Sequence, residues 1–163
     1  MEPTERFDAL VAAMDTALVV VTVAVGDERD GCIVGFHSQA SINPRRYVVW
    51  LSTANRTSRL AERADYLAVH VLAHDQHELA ELFGGETGDD IDKLDRITWE
   101  AGPGGVPLLA ACPHRFVGQV LQRHHDVGDH VAMVLAPVEA VAAELPAPLR
   151  LRQAGDIEPG HPA

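Results

Sequence analysis

The sequence predicts a mainly β domain: a small antiparallel barrel of about six or seven strands with a few peripheral helices. Three observations lead there. Hydrophobic residues make up 47% of the 163-residue chain but aromatics only 5%, so the core must be built from Val, Leu, Ile and Ala, and the β-branched ones gather in runs of strand length. Polar, Gly-flanked, hairpin-like loops join the early runs. Strands do not alternate strictly with helices, which argues against a doubly wound parallel sheet, whereas barrel closure removes exposed strand edges.

In chain order, Phe7, Leu10, Val11 and Met14 stand at i, i+3, i+4, i+7 and predict an amphipathic helix over 5–14. The run 17–25 is rich in Val and ends at Gly26, as a strand does. Residues 26–31 read as a polar hairpin loop, 32–42 as one strand made irregular by Gly35, and 46–54 as a third strand after the Asn43-Pro44 turn. Asn55 and Thr57 supply N-cap chemistry ahead of a short helix, and 66–73 is a fourth strand. A helix runs from His74-Asp75 through Phe83, followed by an acidic loop over 84–92. Residues 97–99 are a short strand. Two long strands over 108–122 and 130–143 flank a polar turn, and four prolines after Leu145 mark a loose tail. The expected division is a domain over 1–145 and a tail over 146–163.

Composition removes several functions. Lys plus Arg number 13 against 24 Asp plus Glu, a net charge of −11, and no basic cluster is present. That disfavours nucleic acid and anionic membranes, because both are bound chiefly through phosphate charge. No apolar run is long enough to span a bilayer, and the acidic start does not resemble a signal peptide. Two cysteines, Cys32 and Cys112, make no disulfide framework, and a cytoplasmic location with free thiols is expected. The nine His match no zinc-ligand spacing, so no metal is expected.

Two segments carry chemistry. At 50–57 a strand gives way to small polar residues and then a helix. That arrangement suits an anion, with Arg56 adding a charge, or equally a plain helix cap. Gly128-Asp129-His130 puts an imidazole at the mouth of a strand, where it can donate to a carboxamide or move a proton, or can simply be a surface His after a turn.

Taken in order, the segments resemble the flavin reductase-like family, whose fold is the FMN-binding split β-barrel. The likeness covers about residues 7 to 140. It rests on 14–25, on the run Gly31 to Pro44, on Asn55-Arg56-Thr57, on 67–72 followed by Gln76 to Phe83, on Lys93-Leu94, Trp99 and Val106-Pro107-Leu108, and on Gly128-Asp129-His130. The resemblance implies a homodimer that binds FMN or FAD without a covalent bond. It implies hydride transfer from NADH or NADPH to the flavin, possible service to a partner monooxygenase, and no nucleic acid or membrane partner. By the same resemblance, Ile33, Val34, Gly35 and Phe36 lie along the flavin ring. Trp50, Leu51, Ser52, Thr53, Ala54, Asn55, Arg56 and Thr57 follow the ribityl chain and phosphate, with Phe83 and Gly84 close by, and His130 meets the nicotinamide.

The sequence departs from the family pattern near the ring. Ile33 stands where Thr is usual, Gly35-Phe36 where Ser/Asn-Ser is usual, and His70 replaces an Asn. Loss of hydroxyls there leaves open an alternative: a flavin-binding sensor or carrier of the same fold without reductase turnover.

Overall fold

The computed structural model describes residues 1–142 and 144–161. Its elements are α1 (Pro3–Met14), β1 (Val19–Val25), β2 (Glu28–Val34), β3 (His37–Ile42), β4 (Arg45–Ser52), α2 (Arg56–Ala61), β5 (Tyr66–Val71), α3 (His77–Gly85), β6 (Trp99–Ala101), β7 (Pro107–Leu109), β8 (Arg115–His124) and β9 (His130–Val141). Short 3-10 turns lie at Lys93–Arg96, Pro103–Gly105 and Leu151–Ala154.

Seven strands form one sheet in the order β2-β1-β5-β8-β9-β4-β3, with antiparallel neighbours throughout, and β6 pairs with β7 beside it. The two edge strands, β2 and β3, are consecutive in the chain and joined only by Gly35 and Phe36. Two residues span little distance, so the sheet must curl until its edges nearly meet. The result is a split barrel, as expected, whose seam is crossed by the 35–36 link. The Trp50 N–H donates to the Phe36 carbonyl at 2.9 Å and ties that link to β4.

β1 shows why its sequence is an apolar run interrupted only by Thr22. Val19, Val21 and Val23 face the barrel interior with Cys32, Val34, Val49, Leu51, Met133 and Leu135. Val20, pointing the other way, packs with Leu18, Leu72, Ala80, Phe83, Leu94 and Leu149 in a second core beneath α3. A strand buried on both faces has no polar alternation to display.

Several local expectations shift. The hairpin loop at 26–31 shrinks to a turn at Gly26-Asp27, because the residues from Glu28 on pair in register with β1. Gly26 takes φ +60, which the tight turn requires. The single strand expected over 32–42 is broken at 35–36, where the chain changes edges. The strand expected from 108 begins only at Arg115, since Pro107–Leu109 pairs with β6 instead. Ala143, the end of the last expected strand, lies outside the described residues, as do Pro162 and Ala163.

Two differences reach further. The segment expected to be a loose tail is anchored: the Leu18 N–H donates to the Leu149 carbonyl at 2.8 Å, the Leu149 N–H to the Leu72 carbonyl at 2.9 Å, and the Leu149 side chain is buried. The prolines that suggested looseness leave one apolar anchor, which fills the core under α3. And α1, though amphipathic, buries none of its residues: Phe7, Leu10 and Met14 are 64%, 66% and 73% exposed. Among the described residues no helix is long and apolar enough to cross a membrane.

Candidate functional site

A cleft with a volume of about 310 Å³ opens at the barrel seam. Its floor is the end of β2 and the adjoining rungs: Cys32, Ile33 and Val34 with Leu18 and Leu51. Gly35 and Phe36 pass along it where the chain has left one ladder and not yet joined the next. Trp50 and Ser52 of β4, Asn55 at the start of α2, Gly84 of α3 and His130 at the start of β9 complete the part expected from sequence. A shallower depression shares Phe36, Trp50 and His130 and continues over Val127, Gly128 and Asp129.

The two stretches 33–36 and 50–55 therefore converge on one cleft. Among the described residues, its lining carries no carboxylate. Gly84 has a packing reason for its identity, because a Cβ there would sit 2.8 Å from Ile33 Cγ2 and push that side chain into the cleft. Asn55 is buried, and its side-chain oxygen accepts from the Thr57 N–H at 3.1 Å, capping α2.

Five expected residues do not line the cleft. Thr53 is exposed and bonds the Asp129 carbonyl through both N–H and hydroxyl, and Ala54 lies beside it. Thr57 is buried under α2. Phe83 is buried behind the wall, against Gly31. Arg56 turns away: Nη1 donates to the Arg29 carbonyl at 3.0 Å, and its guanidinium lies 3.9 to 4.0 Å from Asp30 and Glu28. The acidic β2 edge captures the charge that sequence alone made available to a phosphate.

His130 is oriented from one side. Its Nδ1 lies 2.6 Å from Asp129 Oδ1, and the bond holds the Asp129 carboxyl below the usual carboxylate range. An Nδ1–H given to a carboxylate leaves Nε2 as the acceptor of the neutral ring. The ring sits over the cleft mouth, its centroid 4.9 Å from that of Phe36.

The other lining residues went unforeseen: Leu18 and Cys32 on the floor, and Leu151, Ala154, Ile157, Pro159 and His161. The signal was present as alternation, since 157, 159 and 161 are two apart, but prolines and glycines among them read as loop.

A barrel split at one seam, with a mostly apolar cleft edged by a few polar groups, defines a class of small-molecule-binding β domains. The chain belongs to the flavin reductase like domain family, whose model matches residues 11–154. It is 27% identical over 135 residues to the NADH-dependent FMN reductase AsuE2 of Streptomyces nodosus subsp. asukaensis, covering 77% of this chain and 68% of that one. It is 25% identical over 137 residues to the 4-hydroxyphenylacetate 3-monooxygenase reductase component of Klebsiella oxytoca, covering 80% and 76%. A high molecular weight rubredoxin of Moorella thermoacetica is 25% identical over 69% of this chain, which spans only 50% of that longer protein. Among solved structures, the NADH:FAD oxidoreductase SgcE6 of Streptomyces globisporus C-1027 superposes with a TM-score of 0.76 at 22% identity, over 88% of this chain and 86% of that one, and so shares the fold.

Proposed function

We propose that the chain is an FMN-binding oxidoreductase, an NAD(P)H-dependent flavin reductase that serves as the reductase component of a two-component monooxygenase. The observation that carries the reading is the seam cleft, where 33–36 and 50–55 meet. A flat, largely apolar ring system fits a slot floored by Val34, Leu51 and Cys32 and flanked by Phe36 and Trp50. When bound, the flavin supplies the hydride chemistry.

This chain's residues do the rest. The backbone groups along 33–36 that the β1 ladder and the Trp50–Phe36 bond leave free face the ring edge and stand in for the hydroxyls missing at Ile33 and Gly35. Ser52 and Asn55 hold the phosphate end. His130, fixed by Asp129, places the nicotinamide through its carboxamide, and positioning is the main contribution to hydride transfer. The relatives' names, an FMN reductase and a monooxygenase reductase component, support this reading. The two free, buried thiols support a cytoplasmic site of action.

The test begins with colour: purified protein is expected to carry, or take up, yellow flavin absorbance and to oxidise NADH when FMN is added. Replacing His130 by Ala is expected to slow NADH oxidation about tenfold while FMN affinity holds. Protein that binds no FMN removes the cofactor, and binding without NADH oxidation leaves the sensor or carrier reading, which the apolar Ile33 and Gly35 favour.

A homodimer is part of the proposal. An apolar helix face as open as that of Phe7, Leu10 and Met14 is unusual on a monomer, and a second copy of the chain supplies a cover. Gel filtration is expected to give about twice 17.6 kDa, and Leu10→Glu to return the mass toward the monomer. A wild-type mass of one chain rejects it.

A further inference from the structure

We propose that segment 155–161 is an end wall of the cleft that makes this site select flavin mononucleotide over the dinucleotide. The inference rests on the flavin reading above.

The segment is held along its whole length. Leu149, threaded between the start of β1 and the end of β5, fixes where the following turn sits, so that Leu151 and Ala154 face the cleft. From there the chain runs along α3. Asp156 Oδ1 lies 2.8 Å from Nε2 of His77, the first residue of α3. The Gly160 N–H donates to the carbonyl of Gly84, near the other end of α3, at 3.2 Å. Ile157 and the Glu158 carbonyl pack against Gly85.

The segment alternates as an extended chain does. Asp156 and Gly160 face α3, while Ile157, Pro159 and His161 face the cleft. His161 reaches across to Asn55, with Nε2 of one 3.3 Å from Nδ2 of the other. The wall thus bridges α3 to the start of α2 and closes the cleft on the Asn55 side.

FMN ends at its phosphate. FAD continues through a second phosphate into a ribose and an adenine. With the phosphate end of the flavin at Ser52 and Asn55, that continuation meets Pro159 and His161. FAD must either lift the segment or bind with its adenylate strained, and either cost is one that FMN does not bear.

Gly160 offers a way to open the wall without touching the cleft. A Cβ at that position would sit 2.7 Å from the Glu86 carbonyl carbon and 2.9 Å from the Thr87 nitrogen, both backbone. Gly160→Val therefore forces the segment off the loop. Asp156→Ala removes an exposed carboxylate and with it the His77 latch, at little risk to folding.

The experiment is titration of the full chain and both variants with FMN and with FAD, followed by quenching of flavin fluorescence. Wild type is expected to bind FMN at least about tenfold more tightly than FAD. Both variants are expected to narrow that ratio, chiefly by tightening FAD. A wild-type ratio near one overturns the wall, and so does a wild-type preference that survives unchanged in either folded variant. Failure to bind either flavin is a different result, since it rejects the flavin reading on which the wall depends.

Discussion

Replacing Lys93 by methionine is expected to lower the unfolding free energy by about 3–5 kcal/mol, the cost typical of leaving a nearby buried charge uncompensated. Lys93 is 1% exposed, on a short turn that packs behind the cleft wall. Its Nζ donates to the Gly31 carbonyl at 2.9 Å and the Phe83 carbonyl at 3.4 Å, and it pins β2 to α3. Nearby, Asp30 is 3% exposed. Burial raises its pKa, against opposing pulls from Lys93 first and Arg56 later. Asp30 Oδ2 has no hydrogen-bond partner, and with Lys93 lost the cation left beside the carboxylate is the Arg56 guanidinium, 3.9 Å away, while the Gly31 N–H still supports it. Methionine matches the volume, so packing is not the cause. Thermal melting and urea unfolding measure the loss, and Lys93→Met with Asp30→Asn is expected to recover part of it. An effect under about 1 kcal/mol, the worth of an exposed pair, would sink this account.

Stability is also expected to fall by about 3 kcal/mol as pH drops from 6.5 to 4, through His70 alone. His70 is fully buried, with Nδ1 3.1 Å from the Val20 carbonyl and Nε2 accepting from the Leu109 N–H at 3.1 Å. It is the neutral ring, donating to β1 and accepting from β7. Burial pushes its pKa down to about 4, only partly offset by the Val20 bond. The sign follows from which state takes the proton first. The unfolded chain protonates this ring near pH 6.5, the folded one near 4, so the contribution is complete above 6.5 and drains away between the two. Urea unfolding at pH 7, 6, 5 and 4 reads the slope. His70→Asn keeps a polar side chain but cannot titrate, and is expected to flatten the slope across that window. His70→Leu leaves the Leu109 N–H unpaired and is expected to cost about 1–3 kcal/mol at pH 7. An unchanged slope in His70→Asn assigns the acid sensitivity elsewhere.

Neither residue announces its role in the sequence. Lys93 follows an acidic stretch, and its burial needs β2, α3 and the 93–96 turn to meet. His70 sits at one position of a strand, and only the arrival of β7 gives its second nitrogen a donor. Arg56 errs in the opposite direction, with a charge beside a polar segment claimed by acids that are distant in sequence. The strap over 155–161 shows a third kind of gap: its period of two is short and interrupted by Gly and Pro, so the composition outweighs the alternation.

What the chain determined locally is most of the strands, their antiparallel character and the polar strand-to-helix junction over 50–57, whereas the place of 33–36 beside it was implied by the family resemblance. Runs of Val and Leu, turn residues and helix caps act over a few positions, and their physics is written in adjacent letters. Tertiary structure alone decided that Gly35 and Phe36 stitch together opposite edges of one sheet, which charges are buried, and that residues 155–161 wall the site. Each of these depends on groups far apart in the chain coming within a few ångströms, and no local pattern encodes such a meeting.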